Sequence, residues 1–218
     1  MYNGYNVTLC IPTLSEYDLL NNCIRSASEG SVKPDTILVM DNGGLYNYEG
    51  PENVEVFSYG YNIGVAKSWN YFIKNVPEIR IISNDDIEFR QDTIKVLLDS
   101  YTGRTIHGIG GIDSLNIFSL FVFPDILVNT IGLFDESISP NYAYFEDNDY
   151  LYRMRLANIG LDVSPFVDVG HYHSATLKHM NVAQTNEHHK KFQLARENYV
   201  RKWGGQPWEE KYTTPFNS

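Results

Sequence analysis

Cysteine is nearly absent: Cys10 and Cys23 are the only two in 218 residues. Cys10 lies in an apolar run and Cys23 in a helical pattern, so two buried free thiols are expected rather than a disulfide, which fits a reducing cytoplasm. Cations are scarce as well. The 17 Lys and Arg stand against 27 Asp and Glu, a formal net charge of -10. That balance argues against non-specific binding to nucleic acid or to an anionic membrane surface. No apolar run approaches the roughly 20 residues a helix needs to span a bilayer, so no transmembrane segment is expected. The opening MYNGYNVTLC has neither a basic n-region nor a long apolar segment, so no signal peptide is expected either. Repeats, low-complexity tracts and Gly/Ser linkers are missing, which leaves a single domain over 1–218. The first strand-like run is not followed by GxGxxG, which counts against a dinucleotide dehydrogenase, and the absence of GxxxxGK(S/T) excludes a P-loop.

Aromatic residues are abundant, with 16 Tyr, 11 Phe and 3 Trp. Such rings suit a core, and where exposed they suit the apolar faces of sugars and bases. Apolar runs alternate with helical patterns through the first half. Tyr5 to Ile11 reads as a strand ended by Pro12. Ser15 is placed to cap a helix over Leu19, Leu20, Cys23, Ile24 and Ala27, with Asp18 three residues on. Thr36 to Met40, Val54 to Phe57 and Arg80 to Ile82 read as three further strands, and Gly64 to Val76 as a helix. In the second half, Phe118 to Phe123 reads as a strand. Asp125 to Ile131, Asp147 to Ile159 and a polar Asn186 to Trp203 read as helices, with His188-His189 on solvated surface. Short apolar strands separated by helices predict an α/β fold, a mostly parallel central sheet with helices on both faces.

In such sheets ligands bind beyond the carboxyl ends of the strands. The predicted strands end there in Pro12-Thr13, in Asp41-Asn42-Gly43-Gly44 and in Ser83-Asn84-Asp85-Asp86, so acids and small polar residues gather at one edge. Asn84-Asp85-Asp86 suits a hard cation such as Mg2+ or Mn2+ and equally suits a polar turn. His171 and His173, two apart on an extended segment, share a face and suit either a nitrogen ligand or plain packing. FEDNDYLYRMR sets Glu146, Asp147 and Asp149, three acids in four positions, ahead of an apolar, basic run. Acids there offset the positive end of a helix dipole, or one of them is held to take a proton.

The order of these motifs resembles that of inverting glycosyltransferases of family 2, with the nucleotide-diphosphosugar transferase (GT-A) fold, over Val7 to Gly204. VTLCIPTL resembles that family's opening strand and Pro-Thr turn. VMDNGG resembles its strand-two aspartate motif, with Asn42 where a second acid often stands. YNIGVAKSWN resembles the Asn-x-Gly segment, and IISNDDIEF the metal-binding DXD region, with Asn84 where the first Asp often stands. IGLFDE followed by FEDNDYLYRMRLANIG resembles the Gly-x-Phe-Asp-Glu and Glu-Asp-x-Asp pair, while GHYHSAT and ENYVRKWG resemble the later His-containing and Lys-Trp-Gly segments. No single motif is specific; seven in order are.

The resemblance implies transfer of a sugar from a nucleoside-diphosphate donor, a UDP- or dTDP-sugar, to a hydroxyl on a glycan or other acceptor. It implies a nucleotide-sugar and metal-binding half over about 1–110 and an acceptor half over about 111–218. It also implies roles. Asp147 is the catalytic base and Glu146 orients the acceptor, while Asp149 caps the helix or pairs with Arg153. Pro12, Thr13 and Asp41 line the nucleotide pocket, Asn62 and Gly64 lie along it, and Asp85 contacts the donor sugar or ribose. Asp86 and His171 hold a divalent cation, Mn2+ or Mg2+, with His173 as the alternative to His171. Lys67 is expected to be a solvated helix lysine. The chemistry is self-consistent: an inverting transferase needs one base, and a cation stabilises the departing diphosphate. A non-catalytic carbohydrate- or nucleotide-sugar-binding protein on the same scaffold is the alternative.

Overall fold

A computed structural model describes residues 1–109, 117–164, 169–172 and 181–217. The apolar runs form a seven-stranded sheet in the order β3-β2-β1-β4-β7-β6-β8. Its strands are β1 (Val7–Thr13), β2 (Thr36–Asp41), β3 (Val54–Phe57), β4 (Ile79–Ser83), β6 (His107–Ile109), β7 (Leu120–Val122) and β8 (Asp162–Ser164). All run in one direction except β7, which pairs antiparallel with both β4 and β6. A separate ribbon pairs β5 (Ile87–Phe89) with β9 (Val169–His171). The helices are α1 (Tyr17–Glu29), α2 (Val65–Asn75), α3 (Thr93–Asp99), α4 (Ile126–Thr130), α5 (Glu146–Leu156) and α6 (Val182–Trp203).

Strand alternation divides the core into two layers. Val7, Leu9 and Ile11 of β1 pack beneath α1 and α3, against Leu20, Ile24 and Leu97. Cys10 faces the other way, into a layer with Ala66, Trp69 and Phe72 of α2 and Tyr150 and Met154 of α5. Helices therefore cover both faces of one α/β domain. Cys10 and Cys23 are buried free thiols, and burial raises the pKa of both. Among the described residues, no helix is long and apolar enough to cross a membrane.

Several local expectations are corrected. β1 continues through Pro12 to Thr13. The carbonyl of Thr13 accepts from Asn42 N on the β2 side, which turns Pro12 toward β4, where the ladder has already ended at Cys10. The missing N–H of Pro12 thus leaves no strand bond unmade. Ser15 does not cap α1: Glu16 is the N-cap, and its side chain makes no capping bond. Phe118 to Phe123 is not one strand but a 3-10 turn over Ile117–Ser119 followed by β7. α6 starts four residues before Asn186, because Asn181 and Gln184 close a reciprocal capping box with bonds of 2.9 and 3.0 Å.

Candidate functional site

The carboxyl edge of the parallel strands gathers the first set of residues. Thr13 pairs with Asp41 in the β1–β2 register, and Thr13 Oγ1 donates to Asp85 Oδ2 at 2.7 Å, three residues beyond the last β1–β4 pair, Cys10 with Ile82. Asp41, Thr13 and Asp85 therefore form a row across three strand ends. Burial pushes the Asp85 carboxyl up to about 7, against the hydrogen bond from Thr13, and the neighbouring Asp86 adds to the rise. Asp41 is buried and accepts from the Tyr17 hydroxyl and from Gly43 N, both at 3.0 Å, and from Tyr46 N at 2.9 Å. Gly43 is required there, since a Cβ would lie 2.0 Å from the Leu14 carbonyl. The Tyr17 and Tyr46 rings stack at 5.1 Å, making an aromatic wall beside Asp41. Nothing local in the sequence announces this wall, because Tyr17 arrives from α1.

Asn42, which stands where the resembled motif has an acid, holds the next segment in place. It donates from Nδ2 to Ser68 Oγ at 3.1 Å and accepts at Oδ1 from Ile63 N at 3.0 Å. Asn62 Oδ1 accepts from Gly64 N at 2.8 Å. Gly64 has φ +83°, and a Cβ on it would lie 2.5 Å from Tyr142 N, so only glycine fits beside the 141–142 backbone. Val65 N donates to the Tyr142 carbonyl at 2.7 Å. The Asn62–Gly64 segment is thereby fixed to the loop that leads into α5.

Asp86 precedes β5 and His171 ends β9, so the two-stranded ribbon joins residues 85 positions apart. Tyr172 N donates to the Asp86 carbonyl at 3.1 Å. Asp86 Oδ1 is buried, has no hydrogen-bond partner among the described residues, and lies 3.2 Å from His171 Nε2. A carboxylate oxygen without a hydrogen bond beside an imidazole nitrogen suits a divalent cation. Other oxygens would have to complete its shell, because the described residues contain no cluster of three or more His, Cys, Asp or Glu side chains able to hold a metal. His173 lies outside the described residues.

The second set opens α5. Tyr144 and Phe145 have φ of +93° and +68°, an uncommon conformation for residues with large side chains. Glu146 is buried, and its Oε2 has no hydrogen-bond partner among the described residues. Asp147 is half-buried, with Oδ1 accepting from Asn148 N at 2.8 Å. Burial raises both carboxyl pKa values, and the Asp147 charge drives Glu146 further up, well above the ordinary range. The two carboxyls thus titrate as a pair that resists carrying two negative charges. Asp149 belongs to the scaffold. It is fully buried and accepts from Arg153 Nε at 2.8 Å, Trp203 Nε1 at 2.8 Å and Lys202 Nζ at 2.6 Å.

His188 is not solvated surface. It is buried, its Nδ1 lies 2.8 Å from the Tyr142 hydroxyl, and it packs edge-on to Tyr144 at 5.4 Å. Its neighbour His189 is exposed, so only the helical phase of α6 separates the two.

No protein-family model matches the sequence, and no curated protein matches it. Among solved structures, the chain is similar to the mannosyltransferase PcManGT from Pyrobaculum calidifontis in complex with GDP-Man and Mn2+. The TM-score is 0.56 at 13% identity, over 74% of this chain and 55% of that one. The chain thus spans about half the length of that neighbour. At this identity the likeness establishes a shared fold and nothing further.

Proposed function

We infer that the protein is a metal-dependent inverting glycosyltransferase that moves a sugar from a nucleoside diphosphate to a hydroxyl of a glycan acceptor. The observation that carries this reading is the pairing of two carboxylate sites of unlike character. One is the Asp86–His171 pair, at 3.2 Å, with a buried oxygen lacking a hydrogen bond. The other is the Glu146–Asp147 pair, in which burial raises both carboxyls and the Asp147 charge raises Glu146 further. The shared fold with an enzyme whose structure holds GDP-Man and Mn2+ supports a nucleotide-sugar donor and a divalent cation.

In this reading residues 1–110 serve the donor and 111–218 the acceptor. Pro12, Thr13, Asp41, Asn62 and Gly64 line the nucleotide, and Asp85 faces the ribose or donor sugar. The Asp41 carboxylate accepts from three protein donors. A carboxylate has about four acceptor positions, which leaves one for a donor on the bound base, and the resemblance to the family points to uridine or thymidine. Asp86 and His171 hold the cation, which neutralises charge on the departing diphosphate when bound. Asp147 takes the proton of the acceptor hydroxyl as its oxygen attacks the anomeric carbon in line. Glu146, carrying its own proton, donates a hydrogen bond that orients the acceptor.

Calorimetric titration of UDP, dTDP and GDP, with and without Mn2+, tests the donor side. Binding is expected to require the cation, to favour UDP or dTDP, and to weaken about tenfold or more in Asp86→Ala. The melting temperature of that variant is expected to be unchanged. Identical curves for wild type and variant, with and without Mn2+, would remove the metal reading. A preference for GDP would reassign only the base.

A further inference from the structure

A second concave surface lies on the outer side of α5, where the segment that follows α6 folds back over it. It encloses about 390 Å³ between Asn148 at one end, Asn158 at the other, and Trp208 across from them. Leu151 and Leu161 contribute apolar surface. Apart from Asn148, whose backbone N donates to Asp147, none of these residues belongs to either carboxylate site.

Trp208 is the unusual member. It is 69% exposed although its backbone N–H is held by the Glu210 side chain. Glu210 does the holding. Its Oε1 accepts from the Tyr199 hydroxyl at 2.5 Å and from Trp208 N at 3.1 Å, and its Oε2 accepts from Arg155 Nη2 at 2.6 Å. The Arg155 guanidinium lies over the Tyr152 ring at 4.7 Å and over the indole of Trp208 at 5.3 Å. The indole is thus supported by a cation and otherwise open to solvent. Trp208 has φ +72°, a strained conformation for an aromatic residue that persists only where its surroundings enforce it. A chain that strains its backbone and leaves an indole in water forgoes a large burial gain, so the ring is presented rather than stored.

The surroundings identify what is presented to it. Arg155 and Glu210 neutralise each other, which removes the attraction for an anion. The side-chain amides of Asn148 and Asn158 have no hydrogen-bond partner among the described residues, and each offers both donor and acceptor. Asn148 lies in the first turn of α5, and Asn158 lies two residues beyond its end. A flat apolar ring flanked by uncommitted amides, with no net charge, complements a chain of sugar rings, whose faces are apolar and whose edges are hydroxyls. Asn148 is also the residue next to Asp147, so the groove starts one position from the proposed base. We propose that this groove binds an uncharged oligosaccharide, with Trp208 as the stacking platform and Asn148 and Asn158 as its hydrogen-bonding ends. It is the outer subsite of the acceptor, and to that extent it rests on the glycosyltransferase reading.

The test uses the full chain on an array of immobilised neutral and acidic oligosaccharides, without nucleotide or cation. Wild type is expected to retain a subset of neutral glycans. Trp208→Ala is expected to weaken that retention about tenfold or more, the usual effect of truncating an aromatic anchor. Asn158→Asp, which keeps the shape and tolerates the +55° φ at that position, is expected to weaken it less, and guards against a folding defect in the first variant. Retention of acidic glycans alone, no neutral glycan retained, or equal retention by wild type and both variants would overturn the proposal. So would a wild-type dimer in sedimentation that Trp208→Ala dissociates, because the face would then be a self-association surface. Because the array contains no nucleotide, failure here is distinguishable from failure of the catalytic reading, which the UDP and Mn2+ titrations decide.

Discussion

Glu146 and Asp147 are neighbours in sequence with unequal surroundings, and on the proposed reading that inequality decides which serves as the base. Glu146 is buried with an unpartnered oxygen, whereas Asp147 is half-buried, and one of its oxygens accepts from its own helix backbone. Asp147→Asn keeps the size and the backbone contact but cannot take a proton. Single-turnover transfer is expected to fall by about 10² to 10⁴, with donor binding and melting temperature preserved. Near-normal turnover would show that another group is the base. Glu146 yields a stability prediction whose sign follows from its raised pKa. The folded state prefers the protonated form, so Glu146 contributes stability at low pH and loses it as pH rises above the ordinary carboxyl range. Glu146→Gln is expected to melt like wild type in acid and increasingly above it toward neutral pH. A difference that shrinks as pH rises would refute the buried, protonated state.

The helices are joined by one buried charge. Asp149 of α5 receives Lys202 and Trp203 of α6, and Lys202 also reaches Asp135 at 2.6 Å in the turn before α5. The i,i+4 bond to Arg153 adds a third donor, and Arg153 in turn donates to the Ile131 and Leu133 carbonyls at 2.8 and 2.9 Å. Removing the carboxylate leaves a buried ammonium with half its partners. Asp149→Ala is expected to cost about 3–5 kcal/mol, lowering the melting temperature by roughly 10 °C. A thermal melt indistinguishable from wild type would show that the apolar contacts of α6 hold the helix pair alone. α5 thus both carries Asp147 and is tied through Asp149 to the C-terminal helix.

Across the whole molecule the fold concentrates acids at one sheet edge of an already acidic chain, with a net charge of -10. That field repels a diphosphate unless a cation intervenes. On the proposed reading the Asp85 carboxyl, which burial pushes up to about 7, couples cation binding to protons. As it ionises it adds negative charge beside Asp86, the cation's ligand, while keeping its place against the donor sugar. Mn2+ affinity is therefore expected to rise between about pH 6 and pH 8. Asp85→Asn should flatten that rise, as read by titration at each pH. An unchanged slope in the variant would assign the proton to another group.

The sequence by itself determined the α/β class. The mainly apolar runs of five to seven residues at β1, β2 and β4 are too short for helices and too continuous for strands with a solvated face, so they specified a sheet covered on both sides, whereas the edge strand β3 is mostly exposed. It also placed acids and turn residues at the strand ends, and the i,i+4 spacing of Asp149 and Arg153. Much of the rest depended on contacts between residues far apart in the chain. The burial of His188 followed from Tyr142 and Tyr144 arriving over α6, and a polar helix pattern carries no trace of that. The antiparallel sense of β7, the Tyr17–Tyr46 wall and the meeting of Asp86 with His171 have the same origin. Charge state was decided last. Glu146, Asp147 and Asp149 look alike within FEDNDYLYRMR. They differ because one is buried without a partner, one is half-buried and one is bound by three donors, and burial with its hydrogen bonds is a property of the packed chain alone.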